Sequence, residues 1–371
     1  MLTVTTAIVS DLHLGATSGV DVARREEPLA RLLETVARAA RVVFLGDLLE
    51  LRERPAAAVL EDVAPVLRRI GEAAAGRQVV VVPGNHDHQL VAPALERARL
   101  NGDHALPLQI EHEPRRGELA QLLADSMPRS EVVLAYPGIW LRDDVYATHG
   151  HYLDAHLTVP RVECLLAAAV RRYGAGLGAD GPRAPDHYEA IVGPIYALAN
   201  AIAQNARARP GTRRGSLSRR VWSAATARGD AGARIRGALI GRAAIPAAVA
   251  AINVAGFGPF TADLSATELR RAGLRAIGEV VDRLGIEADH VLFGHTHRAG
   301  PLDGELDEWL LPGGTRLTNT GSWIHEPVFV AGDGPSNPYW PGRVTLLTDT
   351  GPPELRNVLG DLELPSPPRP T

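Results

Sequence analysis

Val79-Val80-Val81-Val82-Pro83-Gly84-Asn85-His86-Asp87 is the stretch that decides the fold. Four consecutive valines predict a short strand that is buried on both faces, because such strands are apolar without interruption. The polar residues begin where the strand ends, and amide, imidazole and carboxylate groups are ligands that borderline divalent metals accept. The stretch therefore predicts a metal-binding loop at the carboxyl end of a buried strand.

The same arrangement recurs four more times along the chain. A short apolar run precedes each polar cluster, and these clusters are Asp11-Leu12-His13, Gly46-Asp47, Thr148-His149-Gly150-His151 and Gly294-His295-Thr296-His297. In α/β sheets, the loops beyond the carboxyl ends of neighbouring strands converge on one crevice, where ligands bind. We therefore expect an α/β fold in which one crevice collects all five clusters, and their order suggests a two-metal hydrolase.

The five clusters resemble the pattern of the calcineurin-like metallophosphoesterase superfamily, which is D-x-H, G-D, G-N-H-[DE], a later H and G-H-x-H. The resemblance covers residues 1–154 and 276–350. Strand-like runs also return at 316–319, 323–324 and 344–347. We expect them to complete a second sheet, which gives a two-sheet αββα sandwich with helices outside.

The resemblance also implies a ligand set for two divalent ions. One ion is held by Asp11, His13 and His297, the other by Asn85, His149 and His295, and Asp47 bridges the two. Two such cations, about 3.5–4 Å apart, lower the pKa of a bridging water to give hydroxide and neutralise phosphate oxygens during in-line attack on phosphorus. Ligand chemistry leaves the metal open among Mn, Fe and Zn.

Four further residues are expected near the reacting groups. In the family, the histidine at the position of His86 stabilises developing charge or protonates the leaving oxygen. Glu50 resembles the acidic position that fixes this histidine's tautomer, although a solvated carboxylate in a first helical turn is the alternative. His88 and His151 are expected on the substrate side of the crevice, with a polar rim as the alternative.

The composition fits an enzyme with an insertion. The chain has 371 residues, of which 45% are hydrophobic, so it is long enough for a large α/β core and an addition to it. Cys164 is its only cysteine, which excludes an internal disulfide and fits a reducing compartment. No basic segment of the signal-peptide kind precedes Asp11, so we expect a cytoplasmic protein.

Residues 155–275 change character. They lose the pattern of short strands, are rich in alanine, and show helical periodicity near 161–173, 186–206, 217–228 and 231–254. They hold 17 Arg against 7 Asp and Glu, a net charge of +10, whereas the rest of the chain carries −14. We expect a helical, basic insertion with an anionic partner. The residues beyond it at 351–371 are expected to form a Pro-rich tail.

A cluster of arginines lies within this insertion, at Arg207, Arg209, Arg213, Arg214, Arg219 and Arg220. Arg213 and Arg214 are our candidates for substrate binding, because guanidinium groups grip phosphate bidentately. The alternative is a merely solvated loop, since this chain uses arginine and no lysine.

Apolar stretches at 237–240 and 245–252 follow the cluster, and Arg242 and Pro246 interrupt them, which is unlike a membrane-spanning helix of ~20 residues. Charge and apolarity together favour a lipid-linked phosphate as substrate and peripheral contact with a membrane.

Bacterial UDP-diacylglucosamine hydrolases of the same superfamily are similar in the runs at 46–50 and 319–323. They differ in having Arg at the position of His86 and a shorter insertion.

Two other functions stay open at this stage. A nucleotide or nucleic-acid phosphodiesterase would use the arginines along a phosphate backbone, but the insertion has few aromatic residues to stack bases, so nucleic acid is disfavoured. A scaffold that keeps the fold without catalysis is disfavoured as well, because every ligand position is filled and His86 is present.

Overall fold

The computed structural model of the chain describes residues 6–102, 105–174, 176–178, 180–205, 245–263, 265–330 and 334–364. The strands of this part are β1 (Thr6–Val9), β2 (Arg41–Leu45), β3 (Gln78–Val82), β4 (Gln109–His112), β5 (Glu131–Arg142), β6 (Val145–Thr148), β7 (His290–Phe293), β8 (Arg316–Asn319), β9 (Arg343–Leu347) and β10 (Glu354–Asn357). Its α-helices are α1 (Glu26–Arg38), α2 (Ala56–Ala73), α3 (Ala92–Leu100), α4 (Leu119–Ser126), α5 (Val162–Tyr173), α6 (Pro185–Asn205), α7 (Ile245–Val254), α8 (Ala266–Arg283) and α9 (Pro327–Val330).

Hydrogen bonds connect the strands of the described residues in the order β10-β9-β1-β2-β3-β5-β6-β7-β8, and β4 pairs with β5. The long strand β5 joins two runs, because its first residues lie parallel to β3 and its last residues lie antiparallel to β6. Strands β1, β2 and β3 are parallel neighbours, and so are β6, β7 and β8. The chain thus has a mixed α/β fold in which all five polar clusters follow a strand of a parallel pair.

Alternating side chains of the first run face two different cores. Val42 and Phe44 of β2 belong to a cluster with residues of α1 and α2, where Leu29, Leu32 and Val36 of α1 recur at helical spacing. On the opposite face, alternate residues of β1, β2 and β3 cluster with residues of β5, β6, β7 and β9. This cluster consists of Ile8, Val43, Leu45, Val80, Val82, Ala135, Ile139, Val145, Ala147, Leu292 and Leu347. Burial on both faces explains the uninterrupted apolar runs.

Three parts of the core differ from the sequence expectations. No strand was expected at the positions of β4 and β5. The strand expected at 323–324 is only an isolated bridge between Ile324 and Asp21. Residues 351–371, expected as a tail, contain β10, which pairs with β9. Leu359 is fully buried in the core beside α1 and α2, so the core extends past residue 350, where it was expected to end.

The chain divides into two compact units, of which the first comprises residues 1–151, 196–211 and 285–371 and the second residues 152–195 and 212–284. In the described residues of the second unit, the rings of Tyr152 and Tyr188 stack at a centroid distance of 4.8 Å. Tyr152 donates a hydrogen bond to Glu189, and Arg172 donates to the carbonyl groups of Ala255 and Gly256 beyond α7. The arginines at 207–242, including Arg213 and Arg214, and the helix expected at 217–228 lie outside the described residues.

None of the helices in the described segments combines the length and the apolarity that a bilayer span requires.

Candidate metal centre

Backbone pairing beyond β1 and β2 fixes the first two ligand loops. The N–H of Asp11 donates to the carbonyl of Gly46 at 3.0 Å, and the N–H of His13 donates to the carbonyl of Asp47 at 2.8 Å. The N–H of Glu50 in turn donates to the carbonyl of Leu14 at 3.0 Å. The parallel ladder therefore continues past the strand ends and sets Asp11, His13 and Asp47 side by side.

The loops that carry the candidate ligands contain residues in the left-handed region of backbone space, with positive φ, which residues with a Cβ atom rarely adopt. Five of the six non-glycine residues with positive φ in the described chain belong to the polar clusters, namely Asp11 (56°), His13 (46°), Asp47 (50°), His295 (65°) and His297 (60°). L-residues in this region cost about 1–2 kcal/mol each, so the surrounding structure must impose it. Local strain concentrated at one place is typical of functional sites.

Two glycines give the loops room to approach one another. Gly46 has a φ of +86°, and a Cβ atom on it would lie 2.1 Å from Nδ1 of His149. A Cβ on Gly294 would lie 2.1 Å from Oγ of Ser10 and 2.5 Å from Oδ2 of Asp11. Any larger residue at either position would displace a cluster side chain.

Asp11, His13, Asp47 and His297 form one group of potential ligands around a common centre. Nε2 of His297 lies 3.1 Å from Oδ1 of Asp11 and 3.2 Å from Nε2 of His13. Nε2 of His13 lies 3.6 Å from Oδ2 of Asp47. Ligand atoms this close to one another can share one cation.

Asp47, His149 and His295 form a second group that shares Asp47 with the first. Oδ2 of Asp47 lies 3.3 Å from Nε2 of His149. The other nitrogen of that ring, Nδ1, donates to the carbonyl of Leu45 at 3.0 Å, which directs Nε2 toward the group. All three side chains are buried.

The amide of Asn85 completes the second group and tests whether a cation fits there. Its Oδ1 atom lies 3.2 Å from Nε2 of His149, 3.0 Å from Nδ1 of His295 and 3.2 Å from Oδ2 of Asp47. A cation among these four atoms satisfies this orientation. When the amide is turned, its NH₂ group donates to the three atoms and its oxygen accepts from Nη1 of Arg52 at 3.1 Å, which suits a centre without metal. The donor set fits a binuclear metal centre.

The electrostatics of the cluster couple its carboxylates to its imidazoles. Burial alone would raise the pKa of Asp11 and Asp47, but the neighbouring histidines outweigh it and hold both pKa values well below their usual range. Burial alone would lower the pKa of His149, but Asp47 and Asp11 raise it to about 9. Without metal, the proton on His149 thus supplies the positive charge that a divalent cation would supply once this ligand has lost its proton.

Glu50 lies between two of the histidines. Its Oε2 atom is 2.7 Å from Nδ1 of His86 and 3.2 Å from Nδ1 of His13. Its Oε1 atom accepts from the backbone N–H of Arg52 at 3.0 Å, and the residue is 4% exposed. Burial would raise its pKa, but His86 and His13 hold the pKa of this carboxyl far below the ordinary value. Glu50 is therefore a buried ionised group rather than a solvated helix-start residue.

The open side of the cluster is marked by two side chains. His86 and His297 are 25% and 27% exposed, whereas Asp11, Asp47 and His149 are at most 1% exposed. Nε2 of His86 lies 4.0 Å from Oδ2 of Asp47, so it borders the shared carboxylate from the accessible side.

His88 and His151 are enclosed by protein, which differs from a position on an open substrate face. They are 6% and 1% exposed. His151 bonds through Nε2 to the hydroxyl of Tyr136 at 3.0 Å, and both histidine rings pack against Tyr196. Neither neighbour is near them in sequence, so the pattern gave no sign of this ring cluster.

Two supporting residues carry no role in the sequence expectations. Asp87 is fully buried and accepts hydrogen bonds from the backbone N–H groups of Gly84 at 2.7 Å and Leu48 at 2.8 Å, which ties two ligand loops together. Asn319 donates to the carbonyl of Gly294 and to Oγ1 of Thr296, both at 2.9 Å, and so holds the loop that carries the last two histidines. Asp87 ends the G-N-H-[DE] pattern and Asn319 begins the run at 319–323, so both lie in motifs that the sequence shows, without a role being assigned to either residue.

Residues 4–171 match the family model for calcineurin-like phosphoesterases. Residues 4–171 therefore belong to the calcineurin-like phosphoesterase family. The matched part of this metal-dependent phosphoesterase contains the clusters from Asp11 to His149. His295 and His297 come from beyond the match, and the fold brings them against Asn85 and Asp11.

Two solved structures are similar to the phosphoesterase at low identity. A dimetal phosphatase from Danio rerio has 13% identity and a TM-score of 0.34, with 94% of each chain covered. A cold-active protein-tyrosine phosphatase from a psychrophilic Shewanella species has 11% identity and a TM-score of 0.27, with 93% of this chain and 76% of that chain covered. The assignment depends on the family match.

Proposed function

We propose that this phosphoesterase hydrolyses phosphate esters with two divalent ions held by the seven clustered side chains. Asp11, His13 and His297 would hold one ion, Asn85, His149 and His295 the other, and Asp47 both. The observation that carries the proposal is that Asp47 belongs to both groups of potential ligands. Mn, Fe and Zn all suit such nitrogen and oxygen ligands.

Bound cations of this kind activate water at neutral pH and neutralise the negative charge of a phosphate group. The protein's own part is to place an acid at the leaving oxygen. His86 borders the shared carboxylate from the accessible side, and Glu50 accepts from its Nδ1 at 2.7 Å. We assign proton donation to Nε2 of His86, because the contact of Nδ1 with Glu50 orients the ring so that Nε2 borders the shared carboxylate.

Arg52 is our candidate for contacting the substrate's phosphate. Its Nη1 atom lies 3.1 Å from the amide of Asn85, which belongs to the second group of candidate ligands. When the oxygen of that amide turns to a metal, the amide no longer accepts from Arg52, and we propose that the guanidinium then binds a phosphate oxygen of the substrate. Arginine binds such oxygens in a bidentate manner.

The substrate class that we propose is a lipid-linked phosphate. The supporting features are the +10 charge of residues 155–275 and the apolar helix α7, where Ala247, Ala248, Ala250 and Ala251 are exposed. Arg213 and Arg214 remain candidates for binding the anionic headgroup. In the same proposal, the two strand runs joined by β5 are the two sheets of the αββα core.

Replacement of Arg213 and Arg214 by Gln tests the substrate class. We expect the double variant to lose turnover of a phospholipid-headgroup ester in micelles and to keep turnover of a small aryl phosphate. The matched control is the same change at Arg270 and Arg271 of α8, which should leave both activities near the native level. Equal losses on the two substrates in the first variant would count against a lipid substrate.

A further inference from the structure

The carboxylate of Glu50 contacts two imidazoles through one oxygen atom. Oε2 is 2.7 Å from Nδ1 of His86 and 3.2 Å from Nδ1 of His13. One carboxylate oxygen has two lone pairs, so it can accept a hydrogen bond from each ring at once. The two rings meet edge to face with centroids 4.6 Å apart, which lets both face the same oxygen.

A hydrogen bond at Nδ1 determines what the opposite ring nitrogen can do. A histidine that donates from Nδ1 presents a lone pair at Nε2, where a metal can bind. Nε2 of His13 lies 3.6 Å from Asp47 and 3.2 Å from Nε2 of His297, inside the first ligand group. The contact with Glu50 therefore orients His13 for coordination.

Glu50 is itself held in place by its own loop. The residue is 4% exposed, its second oxygen accepts from the backbone N–H of Arg52 at 3.0 Å, and its N–H donates to the carbonyl of Leu14 at 3.0 Å. Leu14 follows His13 directly, so the backbone and the side chain of Glu50 both anchor the loop that carries this ligand.

We propose that Glu50 is a positioning residue for the metal ligand His13 as well as for His86. Loss of its carboxylate then weakens the ion held by Asp11, His13, Asp47 and His297, in addition to slowing the chemical step. The inference rests on the proposed function for the identity of the ligands. Loss of a carboxylate behind a ligating histidine reduces metal affinity by about 10–100-fold.

Mn²⁺ titration of the chelator-treated full-length protein, followed by calorimetry, tests this role without any activity measurement. We expect Glu50→Gln to weaken one of the two sites by about 10–100-fold and to leave the other near the native affinity. His86→Ala should retain both native affinities, because His86 belongs to neither of the two groups that share Asp47. The matched control is Glu53→Gln, which removes a nearby carboxylate that accepts hydrogen bonds from the N–H and the hydroxyl of Thr17.

Native Mn²⁺ affinity at both sites of Glu50→Gln would overturn the inference and would leave Glu50 with His86 alone. If Glu50→Gln does not fold, Glu50→Asp carries the test. Its shorter side chain keeps the charge but cannot contact both rings, so the same site should weaken, and native affinity again overturns the inference. Hydrolysis by the native protein is a separate measurement: a native protein that binds two Mn²⁺ ions and hydrolyses no ester refutes the proposed function and leaves the test of Glu50 readable.

Discussion

Oδ1 of Asn85 lies 3.0 Å from Nδ1 of His295, although 210 residues separate the two in sequence. In the tautomer that leaves a lone pair on Nδ1, the two atoms can approach this closely when a cation lies between them. Asn85→Ala should therefore reduce Mn²⁺ binding from two ions per chain to about one and should lower kcat by at least 10-fold. Metal analysis after gel filtration measures the stoichiometry. Asn205→Ala, a change at an exposed position of α6, is the control, and two retained ions in Asn85→Ala would contradict the ligand assignment.

The pH dependence of stability follows from His149. Asp47 and Asp11 raise its pKa to about 9 in the folded protein, against 6.5 as the ordinary value. Because the pKa is higher in the folded protein, the protonated ring of His149 stabilises the folded state fully below pH 6.5. This contribution is lost as the pH rises through about 9. The metal-free protein should lose stability over this window, by about 3 kcal/mol for the shift of His149.

Differential scanning calorimetry of chelator-treated protein checks this dependence. Saturating Mn²⁺ should reduce the loss, because the metal replaces the proton on the ring. His149→Gln should flatten the profile of the metal-free protein. An unchanged or rising Tm over the same window would show that His149 is not held in its charged form.

Backbone strain at the ligands gives a third prediction. His297 has a φ of 60°, where residues with a Cβ are disfavoured. Without metal, His297→Gly should be more stable to urea than His297→Ala by about 1 kcal/mol, while neither variant binds two ions. The same pair of changes at Thr296, which is not among the positive-φ residues, should show the opposite order, since glycine is then the worse residue. Equal stability of the His297 pair would mean that the strain is absent.

Much of the centre was predictable because its chemistry is local in sequence. The apolar runs before Gly46 and Gly84 are strands β2 and β3, since strands buried on both faces need uninterrupted apolar side chains. β5 was missed because Pro137 and Gly138 interrupt its pattern, and β10 was missed because its alternating residues are only partly buried.

Contacts between distant polar residues could not be predicted in the same way. The family resemblance gave Glu50 a partner in His86, but it did not give the second contact with His13, which depends on how two loops pair beyond their strands. The burial of His88 and His151 depends on Tyr136 and Tyr196, which come from β5 and α6. Such side-chain geometry is set by packing rather than by local pattern.

Substrate binding provides a fourth prediction, through Arg52. Arg52→Ala should raise KM for a phosphate monoester by at least about 10-fold, because a charge-assisted hydrogen bond to phosphate contributes about 1.5–3 kcal/mol. Arg52→Lys should recover part of the loss, since it restores the charge without the planar fork. Arg68→Ala on the exposed face of α2 is the matched control. A KM of Arg52→Ala equal to that of the control would place the phosphate elsewhere.

The rate of aryl phosphate hydrolysis against added Mn²⁺ equivalents, starting from chelator-treated protein, tests the central claim most directly. We predict no activity without metal, a rate that rises as ions are added, and saturation at two equivalents per chain. Full activity in the metal-free protein, or no activity once two ions are bound, would contradict a two-ion phosphoesterase centre built on Asp47.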